Sequence, residues 1–169
     1  MKPRVSVPVF LLVGLTAAGL AGFVYFGQTF PIELALGVDA SGARVRWMDR
    51  VMFIVVFGSL SFMLPAFVAA MVGVLPRALP VSALLVPNAA YWRTAERGDL
   101  ARDWLLYFGA WLGCLTQVAI LTMTALIVRA NGAGAGDPGA AITTVGAAFA
   151  VALVLWAWRL HRVFTRPAA

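Results

Sequence analysis

The residues of this chain that could do chemistry are few, and none of them forms a pattern typical of a catalytic site. The chain has a single cysteine, Cys114, and a single histidine, His161. A structural zinc site needs four ligands, and haem held by two histidines needs a second imidazole, so one chain supplies neither. No Ser-His-Asp set, carboxylate pair or phosphate-binding loop is present. We therefore expect a protein that is not an enzyme and that has no metal site and no cofactor.

The acidic residues all lie outside the long apolar segments of the sequence. They are Glu33, Asp39, Asp49, Glu96, Asp99, Asp103 and Asp137. A charge at the centre of a bilayer costs at least ~2.5–3.5 kcal/mol on insertion scales and usually marks a transport path or a proton relay. Their position argues against proton pumping. Glu33, Asp39 and Asp49 share one connection, but their spacing is not that of a calcium-binding loop.

The elements that must position these residues are membrane-spanning helices. Of the 169 residues, 62% are hydrophobic and 12% charged, whereas a soluble domain is about half apolar and about a quarter charged. A spanning helix needs roughly 20 predominantly apolar residues, and four segments meet this length. They are residues 5–27, 51–75, 104–128 and 140–158. The sequence therefore predicts one domain over residues 1–169, an all-α integral membrane four-helix bundle.

The basic residues predict the orientation of this bundle. Nine lysines and arginines lie in the two tails and the second connection, and four lie in or beside the first and third connections. Positive charge collects on the cytoplasmic side, so we expect both termini inside, Arg93 inside and Ser41 outside. The net charge of +6 then faces anionic lipid. Binding of nucleic acid is not expected, because no basic helix or stacking platform accompanies the charge.

Small residues recur at spacings of four within three of the apolar segments. They are Gly14, Ala18 and Gly22 in the first, Gly109 and Gly113 in the third, and Gly146 and Ala150 in the fourth. Such residues let helix backbones approach closely in lipid. We predict that Gly14, Ala18 and Gly22, and also Gly109 and Gly113, lie at helix–helix contacts. The number of such faces also favours a partner, either another membrane protein or a second copy of the chain.

Two residues inside the predicted spans leave a transport function open. Pro65 frees the backbone carbonyl of Ser61 and predicts a kink. Gln117 is the most polar side chain of the third span. We expect it to form an interhelical hydrogen bond, and the alternative is a ligand site of a small carrier or channel, since carriers bind substrate near the midplane.

The first connection, residues 28–50, has the composition of an ordered outer loop. Its centre, Asp39-Ala40-Ser41-Gly42, has the aspartate-first, glycine-last order of a type I turn. Apolar residues alternate on both sides of it, which is typical of a short hairpin or a compact cap. Trp47 is expected at the membrane interface, where aromatic rings anchor a protein.

The second connection contains the motif Pro87-Asn88-Ala89-Ala90-Tyr91-Trp92. Asn88 after a proline indicates a turn, and Tyr91 and Trp92 are suited to the depth of lipid headgroups. Asp99 is expected to cap the third helix. One interpretation is an interfacial turn held down by two aromatic rings. The other is a cytoplasmic docking surface, formed by Asn88, Tyr91, Trp92, Arg93 and Arg97.

At these two connections the chain resembles bacterial membrane proteins of unknown function whose module also forms the N-terminal part of SdpI-type immunity proteins. The outer positions that match are Pro31, Ala35, Asp39, Gly42, Trp47, Met48 and Arg50. The inner positions are Pro87, Asn88, Tyr91, Trp92, Glu96 and Arg97. Gly37 stands where relatives usually have a histidine, so a role of that imidazole is not implied. The resemblance implies a bacterial membrane protein and indicates little about function. Tight helix packing, two ordered loops and the lack of catalytic residues predict a non-enzymatic interaction protein of the bacterial cytoplasmic membrane. It would be an immunity- or signalling-like module, as in the family it resembles, or an accessory subunit.

Overall fold

The computed structural model describes residues 3–38, 44–132 and 138–165, and the fold in this part of the chain is mostly helical. The elements are α1 (Ser6–Phe26), β1 (Glu33–Val38), β2 (Arg44–Asp49), α2 (Arg50–Ala69), α3 (Leu75–Ala78), α4 (Ala89–Trp92), α5 (Ala95–Gly132) and α6 (Pro138–Thr165). Helical turns occupy Gly27–Thr29 and Val81–Ala83, and a π-helical segment, Ala70–Val74, joins α2 to α3.

Among the described residues, four helices are long and apolar enough to cross a membrane, as the sequence predicts. They cover Ser6–Thr29, Arg50–Ala78, Glu96–Gly132 and Ile142–Thr165. The third and fourth are longer than the apolar segments that predicted them. The helix α5 already begins at Ala95, so the expectation that Asp99 caps it is wrong, and Asp99 lies within its second turn. The helix α6 continues to Thr165 and includes His161. In both α5 and α6 the helix includes polar residues that flank the apolar segment.

The helix α5 is the central element, and it contacts α1, α2 and α6. Gly109 and Gly113 lie at close contacts of α5 with the second span. A methyl group added at Gly109 would lie 2.8 Å from the carbonyl oxygen of Ala69 and 2.8 Å from the amide nitrogen of Gly73. One added at Gly113 would lie 3.0 Å from the carbonyl oxygen of Pro65. Both glycines therefore lie where the backbones of α5 and the second span come together.

The small residues of α1 are placed differently from the expectation. Nothing lies within 4 Å of a methyl group added at Gly14 or at Gly22, and Ala18 is exposed. The contact with α5 is made instead by Gly19, where an added methyl would lie 2.9 Å from Nε2 of Gln117. The prediction that Gly14, Ala18 and Gly22 form a helix–helix contact is therefore wrong within this chain. Lipid is as apolar as a helix face, so the spacing alone does not tell a buried face from an exposed one.

The first connection forms a two-stranded antiparallel hairpin, β1–β2, in which Glu33 lies opposite Asp49. The fold is therefore not strictly all-α, and the expectation of a short hairpin is confirmed. The turn predicted at Asp39–Gly42 lies outside the described residues. Asp49 also caps α2, because its side chain accepts a hydrogen bond from the amide of Met52 over 2.9 Å.

The side chain of Asn131, near the end of α5, attaches this hairpin to the helices. Its Oδ1 accepts a hydrogen bond from the amide of Ala35 over 2.6 Å, and its Nδ2 donates to the carbonyl of Ala35 over 2.9 Å. Beneath this pair, Leu34, Phe53 and Ile127 form a fully buried cluster. The hairpin is thus held to the helices by two hydrogen bonds between Asn131 and β1 and by the apolar cluster of Leu34, Phe53 and Ile127.

Candidate functional site

The end of the molecule opposite the hairpin is built around Trp92, the last residue of α4. The Trp92 side chain is only 2% exposed. Its indole Nε1 donates a hydrogen bond to the carbonyl of Phe164 over 2.9 Å, and the two rings meet edge to face at 5.2 Å between centroids. The motif therefore folds back onto the last turn of α6 and is fixed there by a buried contact.

The backbone before Trp92 is fixed by a left-handed turn at Asn88. Asn88 has φ 55° and ψ 45°, and among the described residues it is the one non-glycine with a positive φ. Asparagine tolerates this conformation better than most residues because its short side chain avoids the steric clash. Its carbonyl accepts a hydrogen bond from the amide of Tyr91 over 3.0 Å, and α4 begins at this point.

Two arginines hold the rest of the motif in place. The guanidinium of Arg93 donates from Nε and Nη2 to the carbonyl of Leu84 over 3.2 and 2.9 Å. Leu84 precedes the turn at Pro87 and Asn88, and Arg93 follows it, so these hydrogen bonds join the two sides of the turn. Leu84 is itself buried. The guanidinium carbon of Arg97 lies 4.0 Å from the centre of the Tyr91 ring, a cation–π contact. The motif is thus fixed on both of its flanks.

One ion pair joins α3 to α5, and a second lies within the first turns of α5. Arg77 bonds Asp103 over 2.7 Å, and Arg102 bonds Asp99 over 3.0 Å. Arg102 also donates to the carbonyl of Leu79 over 2.7 Å. These four charged side chains are paired with one another. The side chains of Asn88, Arg93 and Glu96 are exposed at the surface.

The predicted site residues therefore divide into two groups. Asn88 and Arg93 are exposed, and Tyr91 and Arg97 are half-buried. Trp92 is buried in the core, so the prediction that its ring contributes to a contact surface is wrong. Its role is to fasten the motif to α6. In the sequence, two aromatic residues beside arginines are equally typical of a membrane anchor and of a contact surface. The hydrogen bond from Trp92 to the backbone carbonyl of Phe164 could not be predicted, because a carbonyl is common to every residue.

A second polar site lies between the helices. Nε2 of Gln117 donates a hydrogen bond to Oγ of Ser61 over 2.8 Å, which confirms the expected interhelical bond. Gln117 is fully buried, and its Oε1 has no hydrogen-bond partner among the described residues. Gly19 provides the space for the amide, a role that the sequence pattern did not reveal.

The described ranges contain no group of three or more His, Cys, Asp or Glu side chains that could hold a metal ion. Neither family models, nor curated proteins, nor solved structures match this chain.

Proposed function

We propose that this chain is a non-enzymatic interaction protein of the bacterial cytoplasmic membrane, with both termini in the cytoplasm. It acts as an immunity- or signalling-like module, or as an accessory subunit of a membrane complex. Its docking surface comprises the exposed groups of the inner motif, which are Asn88, Ala90, Arg93 and the uncovered edges of Tyr91 and Arg97. The partner is another membrane protein.

The observation that carries this proposal is the double fixation of an exposed motif. Trp92 is bonded to Phe164 on one side, and Arg93 is bonded to Leu84 on the other. A surface that is ordered before binding loses less conformational entropy when a partner arrives. A simple membrane anchor needs apolar area at this end but not a left-handed asparagine or a guanidinium bridge.

The chemistry of the exposed groups also suits a protein partner. Arginine and aromatic side chains contribute most to interface energetics, and the ring of Tyr91 stacks with Arg97. Arg93 uses two of its nitrogen atoms on Leu84. Its Nη1 has no hydrogen-bond partner among the described residues, and the N–H groups of this atom can donate to a carboxylate or a carbonyl of a partner.

The test is recovery of co-purifying proteins with an Ala90→Trp variant. Ala90 is exposed between Asn88 and Tyr91, so a large ring blocks the surface and leaves the bonds of Trp92 and Arg93 intact. The matched control is Gly132→Trp at the hairpin end, where nothing lies within 4 Å of an added methyl. We expect the Ala90 variant to lose a partner that the parent and the control retain. Equal recovery from all three would remove the docking proposal.

A small carrier or channel is the second candidate, and the observation in its favour is the unpartnered Oε1 of buried Gln117. Its test is dissipation of potassium and sodium gradients in proteoliposomes, read with ion-sensitive dyes. A flux with the parent that Gln117→Leu abolishes would favour the carrier. Parent vesicles as tight as protein-free vesicles would favour the interaction protein.

A further inference from the structure

A groove of about 470 Å³ runs along the outer surface between α1 and α5 towards the hairpin end. Its lining includes Ala18, Gly22 and Phe26 from α1, and Thr124, Val128 and Arg129 from α5. Because Ala18 and Gly22 are small, the α1 side of the groove is shallow and open. The floor is apolar along most of its length, which suits a hydrocarbon chain.

One polar group interrupts this apolar lining. Thr124 is 6% exposed, and its hydroxyl has no hydrogen-bond partner among the described residues. Other helical threonines satisfy this group by donating to the carbonyl four residues earlier over 2.9 Å, as Thr116 and Thr143 do. An unpaired buried hydroxyl is unfavourable, and Thr124 lines the groove. Its oxygen is covered in the present rotamer, but threonine in a helix has two favourable rotamers, so rotation of the side chain brings the hydroxyl to an acceptor in the groove.

A cation lies at the end of the same groove. Arg129 is exposed, and within the described part of the chain its side chain has no hydrogen bond or ion pair. It follows Thr124 by five residues, which corresponds to a rise of about 7.5 Å along the helix. The headgroup layer of a bilayer is about 5–7 Å thick on each side of the hydrocarbon. Arg129 therefore lies nearer the headgroup layer than Thr124, in the order in which a phospholipid presents its phosphate and its ester groups.

We propose that this groove binds one anionic phospholipid. The phosphate accepts charge-assisted hydrogen bonds from Arg129, and an ester carbonyl accepts a hydrogen bond from the hydroxyl of Thr124. One acyl chain lies against Ala18 and Gly22. This site is on the other half of the molecule from the docking motif and is independent of it.

The open glycines provide matched variants for the test. A leucine at Gly22 fills the groove, whereas a leucine at Gly14 lies on the same helix but outside the groove, and an added methyl has nothing within 4 Å at either position. Native mass spectrometry of the delipidated protein with added phosphatidylglycerol measures binding. Phosphatidylcholine with the same acyl chains is the neutral comparison.

We expect phosphatidylglycerol to bind more tightly than phosphatidylcholine to the parent, and Arg129→Gln to remove about a tenfold preference. Gly22→Leu should lose both lipids, and Gly14→Leu should bind like the parent. Thr124→Val should weaken diester phosphatidylglycerol but leave a diether analogue unchanged, because the analogue has no ester carbonyl.

Equal binding of both headgroups to the parent and to Arg129→Gln would overturn the proposal. It would also be overturned by a dimer that Gly14→Leu and Gly22→Leu both disrupt, since a second copy would then occupy the face. A thermal melt of each variant separates loss of lipid from loss of fold.

Discussion

The indole of Trp92 and the backbone carbonyl of Phe164 are joined by a buried hydrogen bond of 2.9 Å across 72 residues of sequence. This bond connects the short helix α4 to the last turn of α6. Leu84, Ala101 and Phe108 belong to the same buried cluster. In the inner motif, Trp92 therefore belongs to the buried core at this end, whereas Asn88 and Arg93 form part of the exposed surface.

The first prediction concerns this bond. Trp92→Phe keeps an aromatic ring but leaves the carbonyl of Phe164 without its donor. An unsatisfied buried polar group costs about 1–3 kcal/mol, so we expect a lower melting temperature in detergent. Trp47→Phe is the control, because Trp47 is 60% exposed. Equal melting of both variants would show that the indole bond does not hold the motif.

The second prediction concerns the approach of α5 to the second span. Gly109→Ala would bring a methyl group within 2.8 Å of backbone atoms, which cannot move aside as a flexible side chain can. Overpacking of this kind typically costs about 1–3 kcal/mol. Gly14→Ala is the control in open space, and thermal melts compare the two. A Gly109 variant as stable as the control would contradict the close approach.

The comparison of Gly109 with Gly14 also shows how much of the fold the sequence predicts. The four spans follow from apolar length alone, and the hairpin follows from alternation around a turn. The inward face of α1 could not be derived, because Gly14, Ala18 and Gly22 have the same four-residue spacing as Gly109 and Gly113. In lipid both faces of a helix are apolar, and only the position of the neighbouring helix selects Gly19.

The candidate site was predicted in the same partial way. Asn88 after Pro87 indicates a turn, and the structure brings Asn88, Tyr91 and Arg97 together. The burial of Trp92 depends on Phe164, and the attachment of the hairpin depends on Asn131. Trp92 bonds the backbone carbonyl of Phe164, and Asn131 bonds the backbone amide and carbonyl of Ala35. These backbone groups are distant in sequence and carry no residue-specific signal.

The third prediction is that Asn131 holds the hairpin to α5. Asn131→Leu has a similar volume but leaves the amide and the carbonyl of Ala35 without their partners. We expect faster hydrogen exchange across β1, measured by mass spectrometry in detergent, with exchange in α2 unchanged. Asn88→Gly is the control, since Asn88 lies at the other end. Unchanged exchange in β1 would show that the apolar cluster beneath it is sufficient.

The fourth prediction is the orientation in the membrane, which rests on nine basic residues against four. A Cys114→Ser background removes the single native thiol. A Ser41→Cys probe, in the connection between β1 and β2, should react with an impermeant maleimide in intact cells. An Ala90→Cys probe should react only after permeabilisation. The reverse pattern would invert the topology and place the inner motif outside.

The most direct test of the docking account is site-specific photo-cross-linking in native membranes. A photoreactive amino acid at Ala90 lies on the proposed surface, and one at Gly132 samples the hairpin end as a control. We predict one discrete protein adduct from position 90 that is absent from position 132 and is lost when Trp92→Phe releases the motif. Adducts to lipid alone from position 90, with no protein adduct, would contradict the account and leave the motif as a membrane anchor.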